Sequence, residues 1–230
     1  MKILSFIKSE LNYYSVFEKY FFLTVLLITF SVSYFAHDDK IALISALCGI
    51  SYTFFAGKGK IYCYYTGLIG TFCYCYIAYK NGFFGNLALY GGYFLPMEII
   101  GIIKWKKHLK KDKNEIIKTV LSKKERILYF STVLIISIIS GFLANSISGW
   151  NYPFLDITTV IFSILGQLLT VKRCYEQWWV WIFVNIVSFI MWNIAYFINN
   201  SHALNTVFMW FVYIFLAFYF KYKWKKELKL

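Results

Sequence analysis

The sequence predicts an all-α polytopic membrane protein of about eight transmembrane helices, two parallel three-helix repeats joined by a linker helix, with one extra helix at the N-terminus. Three observations predict it. Mean hydropathy is +0.57 and 60% of residues are hydrophobic, with only 15% charged; a soluble domain has roughly half and a quarter. The charges cluster in short breaks between apolar runs of helix length. The basic residues fall almost entirely on one side of the resulting map. Long unbroken apolar runs and weak period-2 alternation argue against an outer-membrane barrel.

The spans run 20–36, 41–57, 61–79, 84–103, 127–147, 158–171, 178–198 and 205–220, most of them near the length that a hydrocarbon core of about 30 Å requires. Residues 1–19, of mixed charge, precede the first; the apolar run after them is too long for a cleavable signal. Polar breaks at 37–40, 58–60 and 80–82 bound the second and third spans. The fourth ends at a linker, 104–126, with ten lysines and arginines, His108 and three acids. It reads as a cytoplasmic loop joining two halves, with a capacity for anionic lipid headgroups. Breaks at 149–156, 172–177 and 199–202 separate the last spans, and a basic tail follows. The units are therefore 1–40 (extra helix), 41–104 (first repeat), 105–147 (basic loop and linker helix) and 148–230 (second repeat and tail).

With the N-terminus in the cytoplasm, 22 of the 24 basic residues lie inside, and only Lys40 and Lys80 lie outside. That asymmetry follows the positive-inside rule and puts both termini in the cytoplasm. The net charge of +13 therefore marks topology rather than a nucleic-acid partner. Five cysteines, two of them two residues apart, have no metal spacing and read as buried apolar residues. No cofactor is expected.

An internal repeat supports the map. Ile77–Ala78–Tyr79 recurs as Ile194–Ala195–Tyr196. Asn86 and the Lys104–Trp105–Lys106–Lys107 run recur as Asn205 and Lys223–Trp224–Lys225–Lys226, 119 residues on. A parallel repeat places a substrate site near the midplane between its halves. Trp178, Trp181 and Asn185 lie on the middle helix of the second half at i, i+3 and i+7, within about 60° of one another. Ser188 and Trp192 extend the stripe. Indoles stack on flat or cationic rings, and a carboxamide both donates and accepts hydrogen bonds. An interfacial tryptophan belt accounts for the same indoles without a ligand.

The Trp178-x-x-Trp181-x-x-x-Asn185 pattern resembles the signature of the PnuC family of nicotinamide riboside transporters, whose 3+1+3 bundle is similar to that of the SWEET sugar transporters. The resemblance runs from about Gly49 to Trp224 and includes Gln167 and the Glu98-x-x-Gly101-x-x-x-Trp105 end of the fourth span. The family more typically has glutamine at position 98, so Glu98 departs from the pattern. The resemblance implies a homotrimer in the bacterial inner membrane that takes up nicotinamide riboside by facilitated diffusion. A cytoplasmic kinase then traps the ligand by phosphorylation. The indole pair suits the cationic pyridinium, and Asn185 and Gln167 suit the carboxamide and ribose.

Glu98 is the one acid well inside a span, and two readings stand beside each other. It attracts a cationic ligand or couples to protons, or it is a protonated acid hydrogen-bonded between helices. Asp156 and Glu176 read as solvated boundary charges, and Asn86 and Asn205 as helix-start residues. Tyr90 and Tyr93 are candidates to line the cavity from the fourth span, with packing as the alternative. A membrane enzyme would need paired acids, a metal cluster or an activated nucleophile, and a pump would need a phosphate-binding loop; the sequence has neither. A carrier of thiamine or riboflavin and a plain membrane scaffold are the remaining alternatives.

Overall fold

The computed structural model describes residues 13–35, 40–80, 84–110, 115–146, 153–198 and 204–230. Eight helices appear among them: α1 (Val16–Phe35), α2 (Lys40–Gly57), α3 (Tyr62–Lys80), α4 (84–106), α5 (Lys123–Asn145), α6 (Pro153–Val171), α7 (Gln177–Ile198) and α8 (Leu204–Glu227). Six of these (α1, α2, α4, α5, α6 and α7) contain stretches long and apolar enough to cross a membrane. The tyrosine-rich α3 and the lysine-ended α8 complete a multi-pass bundle. The side chains of Asn86 and Asn205 lie outside the described residues.

Local chemistry sets several boundaries. Helix α1 begins on a capping box in which Ser15 and Glu18 exchange backbone hydrogen bonds. Ser122 and Glu125 do the same for α5. Helix α4 is interrupted by a π turn over Tyr90–Phe94, where the Leu95 N–H donates to the Tyr90 carbonyl. Pro96 has no N–H to give Gly92, so the ladder opens there. Helix α6 starts at Pro153, earlier than the apolar run suggested, and α8 continues to Glu227 through the lysine tail.

The α2–α3 and α6–α7 turns are built alike, 114 residues apart. Gly59 and Arg173 both have positive φ, +67° and +64°. Lys60 N–H donates to Phe55 O and Cys174 N–H to Leu169 O, both at about the same length (2.9 and 3.0 Å). The third helix of each half then closes on the first helix of the other. Trp105 Nε1 donates to Thr170 O at 3.1 Å, and Trp224 Nε1 donates to Gly57 O at 2.6 Å. Each indole stands edge-on to an aromatic ring, Trp105 on Tyr64 and Trp224 on Trp178. These fully buried rings form the centre of the main core, at the lysine-rich end of the bundle.

The basic linker is more than a loop. Its second part is an extended strap that pairs with both turns. Ile116 N–H donates to Gly59 O, Thr119 N–H to Arg173 O, and Tyr175 N–H to Thr119 O. Ile116 of the strap is fully buried. Glu176 corrects the expectation of a solvated boundary charge: it is 2% exposed, accepts from Leu121 N–H and pairs with Arg126 at 2.7 Å. Two acids hold the neighbouring parts in place. Glu18, 1% exposed, takes hydrogen bonds from Lys58, Lys223 and Tyr219, tying α1 to α2 and α8. Glu115 pairs with Lys110 at 2.6 Å and Lys118 at 3.6 Å.

Candidate functional site

A cavity of about 460 Å³ lies between α2, α3 and α4 on one side and α6, α7 and α8 on the other, within the size range of small-molecule sites. Helix α7 presents Trp178, Trp181 and Asn185 to it, α6 presents Gln167, and α4 presents Glu98 and Tyr90. Of the residues expected from sequence, Ser188 and Tyr93 are missing from the wall. Ser188 is buried, but about 80° round the helix from Trp178, at the edge of the stripe, whereas Trp192 still reaches the cavity. Tyr93 also points elsewhere, its hydroxyl donating to Ile164 O at 2.9 Å.

The two indoles differ in their support. Trp181 is fastened by a hydrogen bond from Nε1 to Thr170 Oγ1 at 3.1 Å. Trp178 is 2% exposed, packed against Phe220 and Trp224, with its Nε1 unpaired. Gln167 accepts from the Tyr52 hydroxyl at 2.9 Å and leaves its Nε2 without a partner. Glu98 accepts from Thr71 Oγ1 at 2.9 Å and leaves Oε2 bare. An indole N–H, an amide and a carboxyl oxygen are thus buried and unpaired on one cavity wall or another. Native interiors leave few such groups, each at a cost of about 1–3 kcal/mol, and three fall on residues that line this one cavity.

Sequence reasoning missed Tyr52, Tyr74 and Tyr213, which also line the space. The repeat held a signal for the first: Thr53, next to it, stands 114 residues before Gln167, and both line the cavity. Among the described lining residues there is one carboxyl, Glu98, and no lysine or arginine.

A bundle of like halves around an aromatic, amide-bearing cavity is the architecture of a membrane transporter for a small solute. Comparison with known proteins places it more closely. The chain belongs to the family described as nicotinamide mononucleotide transporter, whose model matches residues 39–226. It is 30% identical over 219 residues to the nicotinamide riboside transporter PnuC of Neisseria mucosa, covering 93% of this chain and 82% of that one. It is 28% identical over 195 residues to PnuC of Haemophilus influenzae, covering 84% and 82%. Among solved structures it resembles the crystal structure of the vitamin B3 transporter PnuC, with a TM-score of 0.80, 30% identity and coverage of 94% and 93%.

Proposed function

We propose that this protein carries nicotinamide riboside, rather than the mononucleotide, across the bacterial inner membrane. The observation that carries the choice is the charge of the wall: one carboxyl and no lysine or arginine among the described lining residues. A phosphate brings about two negative charges and is normally met by arginine, lysine or a helix N-terminus; here it would face Glu98. The riboside carries a cation, which suits indoles and a carboxylate. Trp178, Trp181, Asn185, Gln167, Glu98 and Tyr90 form the site in this reading, with Tyr52 holding Gln167.

The reading includes facilitated diffusion, with accumulation through a cytoplasmic kinase that phosphorylates the riboside. It also includes a homotrimer with both termini in the cytoplasm; the basic residues flanking the Trp105–Trp224 end support that orientation. The test is ligand quenching of tryptophan fluorescence on the purified protein in detergent. Riboside is expected to quench and saturate, with mononucleotide, thiamine and riboflavin at least about tenfold weaker, a gap of about 1.4 kcal/mol. Preferential binding of the mononucleotide overturns the reading.

A further inference from the structure

The two halves of the cavity differ in one respect that bears on the ligand's charge. Gly67 and Thr71 stand 114 residues before Trp181 and Asn185, and Glu98 stands 119 before Ala217. All six line the cavity. Where the second half presents an indole and a methyl group, the first presents a bare glycine and a carboxyl. The absence of a side chain at Gly67 is what admits the acid: a Cβ there would lie 2.9 Å from Glu98 Oε1 and 2.7 Å from the Tyr52 ring.

Glu98 is 4% exposed, its Oε1 is held by Thr71, and its Oε2 has no partner. Among the described residues, the ionisable groups that interact with it electrostatically are Tyr52 from α2, Cys63, Tyr64 and Cys75 from α3, and Tyr90 from its own helix. None of them is cationic. A carboxylate buried without a counter-charge is strongly disfavoured, and a cation entering the cavity relieves that.

We propose that Glu98 is the charge-selecting residue of the cavity, so that the site takes a cationic pyridinium nucleoside and discriminates against the neutral dihydropyridine form of the same molecule. This deepens the riboside reading and rests on it. The indole of Trp181 offers the cation a π face from one half, and Glu98 offers the negative charge from the other. The reduced form matches the cation closely in shape but gains nothing from the carboxylate. Thr71 acts as a positioning residue, fixing one carboxyl oxygen while the other is left without a hydrogen-bond partner.

The test is equilibrium binding of the oxidised riboside and its reduced dihydro form to the full-length protein in detergent. Wild type is expected to bind the cation at least about tenfold more tightly than the reduced form. Glu98→Gln, isosteric and able to keep the Thr71 contact, is expected to bring the ratio within about threefold, chiefly by weakening the cation. Glu98→Met serves as a second variant with the same expected loss, and a monodisperse elution profile checks that each is folded. Equal binding of the two forms by wild type, or an unchanged ratio in folded Glu98→Gln, overturns the role of Glu98 and leaves the riboside reading standing. Failure of wild type to bind the oxidised riboside at all overturns both.

Discussion

Trp181 packs against the bare Cα of Gly166: a Cβ built there would lie 2.9 Å from the indole. Helix α6 thus holds the ring at two points one turn apart, by close approach at Gly166 and by the hydrogen bond to Thr170. Gly166→Ala should displace the indole and weaken ligand binding several-fold, since overpacking costs about 1–3 kcal/mol. Fluorescence titration beside a thermal melt separates the two effects. A Gly166→Ala protein with unaltered affinity would show that Trp181 does not touch the ligand.

The indoles of α7 should respond differently. Trp181→Ala is expected to cost about 1–3 kcal/mol of binding, the value of a desolvated cation–π contact with its area, with a small change in melting temperature. Trp178→Ala should reduce both, because that ring is also core. Asn185→Leu should weaken binding comparably by leaving a ligand polar group unpaired. Trp179→Phe should leave binding intact: Trp179 is 51% exposed, with Lys221 Nζ 3.2 Å from its ring centre. Equal losses at all three tryptophans, with equal losses of stability, would mark them as an interfacial belt.

The reciprocal bonds Trp105–Thr170 and Trp224–Gly57 should each contribute to stability. Trp224→Phe removes the indole donor from the buried Gly57 carbonyl, at about 1–3 kcal/mol. Trp105→Phe leaves the Thr170 carbonyl its bond from Arg173 N–H and loses only the second donor. The melting temperature in detergent should therefore fall in both variants, and further for Trp224→Phe. Gly57→Ala should be more harmful still, because its Cβ would collide with the Phe220 ring, which is completely buried. An unchanged melting temperature in all three would remove the closure between the halves as a stabilising element.

The strap carries a pH dependence. Burial pushes the Glu115 carboxyl up, but hydrogen bonds from Lys110 and Tyr13 and the charges of Lys118 and Lys110 more than reverse this, holding it below its ordinary value. A depressed carboxylate stabilises the fold above the unfolded value of about 4.3 and loses that contribution as pH falls through the lower folded value. The difference in melting temperature between wild type and Glu115→Gln should therefore be largest near neutrality and shrink in acid. A constant difference across pH would mean that Glu115 acts only through packing.

Topology is open to direct labelling. Lys124 is exposed at the start of α5, beside the strap. In a background without the native cysteines, Lys124→Cys should resist an impermeant thiol reagent in intact cells and react after permeabilisation. Ready labelling of intact cells would invert the map.

Much of the fold was legible because the apolar runs and their basic flanks record the bilayer directly. The π turn of α4 was not, since it arises where Pro96 withholds one donor within an otherwise ordinary run. The strap was hidden too: Ile116 and Leu121 sit among lysines, and only long-range pairing with Gly59 and Arg173 reveals why they are buried. At the site, the spacing of Trp178, Trp181 and Asn185 was informative because one helix face holds all three. Tyr74 and Tyr213 could not be picked out of 20 tyrosines, because periodicity within a helix does not say which neighbour that face meets. Glu176 was misread for the same reason: its partners, Leu121 and Arg126, are 55 and 50 residues away.

Facilitated diffusion, as proposed, equilibrates the riboside without a drive of its own. Flux of labelled nicotinamide riboside and nicotinamide mononucleotide through purified protein in liposomes tests it most directly. Riboside should move in both directions to equal concentrations, with or without a pH gradient, and the mononucleotide should move little. Accumulation above equality on a proton gradient alone, or faster flux of the mononucleotide, would contradict it.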